Sequence, residues 1–204
     1  DPATGECRGL LVEGQSTNLL TGSEEFGNGG WALVGSTVFS DYTTAPDGSS
    51  AADKLIESSD NAPHLVQRAG VNVTAGETYT VSGFIKKAER TIVRVSTYNN
   101  LTAGGISIDL NTGVVSITNG SPVFRVAQLA GGWYRVSVTA MAVATGTATN
   151  FGFFMLDAPW SGTATYQGDG TSGIYIWGAQ LEHGTKPSSY IPTEASAVTR
   201  VADT

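Results

Sequence analysis

Few side chains in this chain of 204 residues could do covalent chemistry, and their spacing argues against most of it. Gly168-Asp-Gly-Thr-Ser-Gly173 satisfies the GxGxxG spacing with which nucleotide-binding proteins cradle a pyrophosphate. That chemistry needs a helix N-terminus directly after the glycines. Here Ile174-Tyr-Ile-Trp177 follows, a strand-forming run, so the motif is expected to be a tight connection between strands. Glycoside hydrolysis needs two carboxylates about 5–10 Å apart. Glu24 and Glu25 are adjacent and would face opposite sides of an extended chain, and nothing in the sequence pairs Asp157 with a second acid. Neither a Gly-x-Ser-x-Gly elbow nor a His-Glu-x-x-His helix occurs. His64 and His183 are far apart in sequence, and surface or hydrogen-bonded structural roles are expected for both. Cys7 is the single cysteine, which excludes an internal disulfide and a thiolate metal cluster. The chain is expected not to be an enzyme.

Non-covalent recognition is better represented. Sugar binding sets an aromatic face against the apolar face of a pyranose and reads hydroxyls with a few placed polar groups. Trp160, in the loop Asp157-Ala-Pro-Trp-Ser-Gly162, is the leading candidate, with Asp157 beside it as a polar contact. Tyr98-Asn99-Asn100 at a strand end and Tyr166-Gln167 follow. Trp160 reads equally as packing over a sandwich edge or as a contact between subunits. Trp31, Trp133 and Trp177 lie inside apolar alternation and are assigned to the core. Asp41, Asp47, Asp53, Asp60, Asp157 and Asp169 lie in or near turns, where carboxylates can converge on calcium. Asp is also favoured in turns for its own hydrogen bonding, and no EF-hand spacing is present.

The elements that must position these residues are strands. The chain has 26 glycines and only 14% charged residues, whereas helical proteins favour Ala, Leu, Glu and Lys. Thr78–Lys87 alternates Tyr79, Val81, Gly83 and Ile85 with polar neighbours, the mark of a half-buried strand. Thr91–Tyr98 alternates Ile92, Arg94 and Ser96 with Val93, Val95 and Thr97. Further strands are expected over Ala51–Glu57, Leu65–Val73, Ile106–Leu110, Val114–Ile117, Val123–Leu129, Trp133–Val143, Phe151–Leu156 and Ile174–Gln180. Asn111-Thr-Gly113 signals a hairpin, and Ala45-Pro-Asp-Gly48 a turn. Many short strands with such turns favour a sandwich or barrel. The net charge of -7 argues against nucleic acid as partner, since phosphate binding needs clustered Lys and Arg. No apolar run approaches the roughly 20 residues of a membrane-spanning helix, so no membrane insertion is expected.

Two sets of motifs carry a family resemblance. Thr17-Asn-Leu-Leu20, Phe26, Trp31, Ala45-Pro-Asp-Gly48, Gly76-Glu-Thr-Tyr-Thr-Val-Ser82 and Gly131-Gly-Trp-Tyr-Arg-Val-Ser137 fall in the order seen in jelly-roll carbohydrate-binding modules of xylanases and related enzymes. A second set is Asp1-Pro-Ala-Thr-Gly5, Gly9-Leu-Leu-Val-Glu13, Tyr166-Gln-Gly-Asp-Gly-Thr-Ser-Gly173, Trp177-Gly-Ala-Gln-Leu-Glu182 and Ala197-Val-Thr-Arg-Val-Ala-Asp203. With these, nearly the whole chain resembles a domain recurrent in bacteriophage head-spike and tail-fibre proteins. The resemblance implies an all-β jelly-roll β-sandwich of two antiparallel sheets that displays a glycan- or receptor-binding surface, often within trimeric fibres. The enzyme-attached modules often carry an aspartate in the final strand that helps bind structural calcium, and Trp177 stands near that position.

Residues 1–20 are accordingly expected to be a lead-in, 21–193 the sandwich and 194–204 an exit linker. With no Met at its start, the chain is expected to be a piece of a longer polypeptide. The expected role is attachment to host surface polysaccharide from the virion surface, beside other virion subunits and in a homo-oligomer. The alternatives are a purely architectural virion domain and an accessory module of a polysaccharide-degrading enzyme.

Overall fold

The computed structural model describes residues 11–28 and 30–204, with only the backbone described at 148–150. Cys7 and the Asp1–Gly5 motif fall outside these residues. The chain forms the two-sheet antiparallel jelly-roll sandwich expected from its sequence. One sheet has six strands in the order β10 (Val123–Gln128), β11 (Trp133–Met141), β6 (Thr78–Lys87), β14 (Gly173–His183), β4 (Ala52–Glu57) and β3 (Ser36–Thr43). The other has seven: β13 (Thr165–Gln167), β5 (Asn61–Val73), β12 (Gly146–Leu156), β7 (Ile92–Asn99), β8 (Gly104–Asp109) and β9 (Val115–Asn119), with β2 (Trp31–Val34) also paired to β5. Among the described residues the helical content is a 3-10 turn at Ala130–Gly132.

Period-two alternation sends one phase of each strand inward. Tyr79, Val81 and Ile85 of β6, Val93 and Val95 of β7, Val136 and Val138 of β11, and Phe151, Phe153 and Met155 of β12 meet in one buried core. Each fully buried side chain of this kind stabilises the fold by about 1.5–3 kcal/mol. The opposite phase faces outward, and there the two sheets differ.

β14 explains the difference. Ile174 and Ile176 face the core, and so do Ala179 and Leu181, although strict alternation would turn the second pair outward. The pairing with β6 shifts between Trp177 and Gln180, and Gly178 takes a φ of 63° there, which a side chain would resist. This bulge keeps Ala179 and Leu181 inside and leaves Trp177, Gln180 and Glu182 on the outer side.

Those three are nevertheless buried. Trp177 joins Ala45, Ala52, Phe84 and Trp133 in a second hydrophobic cluster on the outside of the six-stranded sheet, packed by Tyr190. The three tryptophans assigned to the core are all buried, Trp31 between the sheets and Trp133 and Trp177 in this second cluster, where Tyr190 of the remote segment 187–193 packs against Trp177. The stretches expected as lead-in and exit also pair with each other, β1 (Ser16–Asn18) against β15 (Val198–Arg200). The Asn18 side chain anchors this region. Its Nδ2 donates to the carbonyls of Ala179 (3.3 Å) and Ile191 (2.9 Å), and its Oδ1 accepts from the Leu181 N–H (3.1 Å).

Candidate functional site

The outer phase of the seven-stranded sheet is built by register. Arg94 of β7 lies opposite Phe154 of β12 on one side and Ser107 of β8 on the other. One step along, Ser96 lies between Gly152 and Gly105, and Gln67 of β5 lies beyond Gly152. A Cβ at Gly152 would sit 3.0 Å from the Val66 carbonyl oxygen and 3.2 Å from both Gln67 and the Phe154 ring. The glycine therefore lets the Phe154 ring and Gln67 close over β12.

Arg94 occupies the middle of this platform. Its guanidinium lies 4.9 Å from the Phe154 ring centre and 4.4 Å from that of Trp160, whose loop follows β12. Nε donates to Thr118 Oγ1 (3.0 Å), and Nη2 donates to Ser96 Oγ (2.9 Å) and Asn119 Oδ1 (3.3 Å). Burial lowers the guanidinium's pKa from its ordinary value, although an arginine remains charged at neutral pH. Tyr98, four residues further along β7 and so about 13 Å away, donates its hydroxyl to Gln67 Oε1 (2.5 Å). Arg94, Phe154, Trp160, Tyr98 and Gln67 all stay half-exposed.

The structure thus brings Trp160 and Tyr98 onto one face. Asp157 follows β12 at the rim and is exposed. Asn99 and Asn100 lie at the far end of β7, where Asn99 adopts a φ of 63° and the Asn100 carbonyl accepts from Val143 N–H. Tyr166 and Gln167 lie apart from this platform. Tyr166 is buried at 7% exposure, its ring edge-on to His64, and its hydroxyl donates to Glu57 (2.7 Å). Gln167 Nε2 is engaged by the Ser59 carbonyl. Their surroundings are structural, because Glu57 is a buried carboxylate that gathers donors. Arg90 holds it through Nε (2.7 Å) and Nη2 (2.5 Å), and Asp169 N–H adds a third contact (2.9 Å). Burial alone would raise this carboxyl, but these donors outweigh it and keep its pKa below the ordinary range.

Arg94, Phe154 and Gln67 were not singled out from the sequence. The alternation of β7 does place Arg94 and Ser96 on one phase, so the arginine carried a local signal; Phe154 and Gln67 join it only through register.

The other motifs resolve into structure. In the GxGxxG stretch, Asp169 Oδ1 accepts from the N–H groups of Thr171 and Ser172 (2.7 Å each), and β14 begins at Gly173. The Ser172 hydroxyl and these N–H groups hold the Asp169 carboxyl well below the carboxylate range. His64 is buried between the carbonyls of Gly35 and Tyr166, whereas His183 is exposed beside Glu77 (2.6 Å). Among the described residues no group of three or more His, Cys, Asp or Glu is placed to hold a metal ion. Asp53 lies beneath Phe26 and Asp41, accepting their N–H groups at 3.3 and 3.1 Å. Two clefts lie away from the platform, one lined by Glu24, Asp41 and Glu194, the other by Glu13, Arg135 and Lys186. Neither is lined by a Phe, Tyr or Trp side chain.

The fold and this face define an all-β jelly-roll sandwich with an arginine and aromatic platform on one sheet. No family model matches the sequence, and no curated protein matches it. Among solved structures, the chain is similar to the enzymatically active domain of tailspike protein 4 of bacteriophage CBA120, with a TM-score of 0.50 and 13% identity. That likeness takes in 81% of this chain and 21% of the tailspike chain, so the chain spans about a fifth of that neighbour. A second similarity is to the CBM22-1–GH10 modules of Clostridium thermocellum xylanase 10B in complex with xylohexaose, with a TM-score of 0.43, 12% identity, and coverage of 90% of this chain and 30% of that one. At such identities the likeness to the tailspike domain is one of fold.

Proposed function

We propose that this domain is a non-catalytic glycan-binding module of a phage virion protein, carried on a head spike or tail fibre and contacting host surface polysaccharide or another receptor glycan. The observation that carries the reading is the platform itself: Trp160 and Phe154 flank the Arg94 guanidinium on a half-exposed sheet face, with Tyr98 and Gln67 further along. Aromatic area with a few oriented polar groups is what sugar recognition requires. The virion setting is supported by the sequence resemblance to head-spike and tail-fibre domains, with which the tailspike fold agrees. In a trimeric fibre, several weak copies of the site would add through effective concentration.

The test is retention of the multimeric protein on immobilised polysaccharides, host capsule among them. Trp160→Ala is expected to lower affinity about tenfold or more, the scale of a lost aromatic anchor, with the melting temperature nearly unchanged. Equal retention of the variant, or no retention of the wild type on any polymer, counts against the reading. A purely architectural role is the second reading. It is favoured by the consecutive edge strands β9 and β10, on and beside which Val114, Ile117, Val123 and Phe124 are exposed.

A further inference from the structure

We infer that the sugar bound at this face carries a carboxylate and that Arg94 is the residue that reads it; the inference rests on the glycan-binding reading above. The chain has 18 acidic residues to 11 Lys and Arg, so carboxylate partners are plentiful. Arg90 is held bidentately by Glu57, and Arg200 lies 3.1 Å from Glu13 and 3.9 Å from Asp203. Arg94 has no carboxylate within 4.0 Å among the described residues.

Its hydrogen bonds go instead to two hydroxyls and an amide oxygen, which fix the guanidinium without neutralising it. Two aromatic rings orient it and exclude water from its flanks. Nη1 makes no hydrogen bond among the described residues and is not enclosed. A charged donor fixed in a partly dried site attracts an incoming anion more strongly than one in bulk water.

The neighbours on the same outer phase include Ser96 and Tyr98 of β7, Ser107 and Asp109 of β8, Ser116 of β9, Phe154 of β12 and Leu65 and Gln67 of β5, with Thr118 of β9 reaching Arg94 at the bulge. Asp109 accepts from the Asn111 N–H (2.8 Å) and does not reach Arg94. Arg68 and Arg135 also lack a carboxylate in contact, but Arg68 has both Nε and Nη1 shut inside the protein, and Arg135 gives Nη2 to the Ser188 carbonyl (2.6 Å) and feels the nearby Glu182 and Glu13 carboxylates. Arg125 is exposed without such fixing. Arg94 is thus held by neutral partners on an outer face whose carboxylates do not reach it.

The experiment compares wild type, Arg94→Gln, Arg94→Lys and Trp160→Ala on immobilised alginate, polygalacturonate and hyaluronan, on the carboxyl-reduced form of each, and on dextran sulfate. The wild type is expected to bind at least one carboxylate polymer at least tenfold more tightly than its reduced form. Arg94→Gln is expected to lose that preference, and Trp160→Ala to weaken binding to both forms. If Arg94→Gln does not fold, Arg94→Lys serves, keeping the charge but losing the three-point hold, and is expected to retain only part of the preference. Equal binding to native and reduced polymers, still sensitive to Trp160→Ala, overturns the carboxylate inference and leaves glycan binding standing. Preference for dextran sulfate alone also overturns it. No binding to any polymer overturns both.

Discussion

The outer faces of the two sheets carry the same arrangement with opposite fates. On the six-stranded sheet Arg135 lies directly across from Phe84, its guanidinium 5.2 Å from the ring, beside Trp177. On the seven-stranded sheet Arg94 lies directly across from Phe154 at 4.9 Å, beside Trp160. The first arrangement is already occupied by the chain itself. Arg135 Nη2 donates to the Ser188 carbonyl (2.6 Å), and Tyr190 packs against Trp177 with ring centres 4.5 Å apart. Gln180 and Glu182 beside them are 0% and 1% exposed. The second arrangement stays half-exposed. An arginine on an aromatic floor is therefore a docking element in both places, and whether it becomes a seal or a site depends on whether a segment of the same chain reaches it.

The comparison breaks most visibly at the tryptophans. Trp177→Ala is expected to cost about 3–5 kcal/mol in denaturant unfolding, the range for deleting a buried aromatic, without changing glycan affinity per folded molecule. Trp160→Ala is expected to cost less than about 1 kcal/mol in stability while lowering glycan affinity about tenfold or more. A reversal of these two outcomes would mean that seal and site have been exchanged. Trp177→Phe refines the point, because Trp177 Nε1 is buried without a hydrogen-bond partner. Losing that donor offsets part of the lost volume, so Phe should cost clearly less than Ala.

A smaller effect is expected at the polar part of the seal. Glu182 accepts from Ser16 Oγ (2.5 Å), Ser188 N–H (3.0 Å), Ser188 Oγ (2.5 Å) and the Gln180 amide, so one carboxylate ties the N-terminal segment to the 187–193 stretch. Glu182→Gln keeps the shape but turns one acceptor oxygen into a donor facing donors. A loss of about 2–3 kcal/mol is expected, the scale of a buried hydrogen bond to a charged group, with faster amide exchange confined to Ser16 and 187–193. Faster exchange on β7 and β12 as well would show that the two faces are not independent.

The sequence revealed the phases of the strands better than their neighbours. β6 runs over the expected Thr78–Lys87, and β7 presents Arg94 and Ser96 outward as its alternation requires. β3 escaped notice because its exposed residues mix Phe39 and Tyr42 with Thr37, Ser40 and Asp41 and its pairing with β4 shifts between Phe39 and Thr43, where Asp41 takes a φ of 54°. β1, β13 and β15 have three residues each, too few for a period to show. For the site, Trp160 and Tyr98 were visible as aromatics near strand ends, but their companions depend on pairing between remote strands. The burial of Tyr166 depends on Glu57, and that of Trp177 on Tyr190, neither of which local patterning reveals.

The smallest effect separates the two sides by pH. Burial pushes the Asp53 carboxyl up to about 6, against the lowering influence of the Asp41 and Phe26 N–H groups, and the nearby Asp41 and Glu24 carboxylates add to the rise. A carboxyl whose folded pKa exceeds its unfolded value of about 3.9 binds its proton more tightly in the folded state. Its contribution to stability is therefore present at low pH and is lost as pH rises through 6, by about 1 kcal/mol between pH 5 and 7. Glu57 and Asp169, whose pKa values are lowered, act oppositely and only in the more acidic range. Stability is thus expected to fall gently from pH 5 to 7 in the wild type and to stay level in Asp53→Asn, which has no charge to bury. Binding at the open face should not follow this trend, because Arg94 and a sugar carboxylate both keep their charge across that range. Parallel changes in unfolding free energy and glycan affinity from pH 5 to 7 would tie the open face to the Asp53 end of β4 and undo the separation drawn between site and seal.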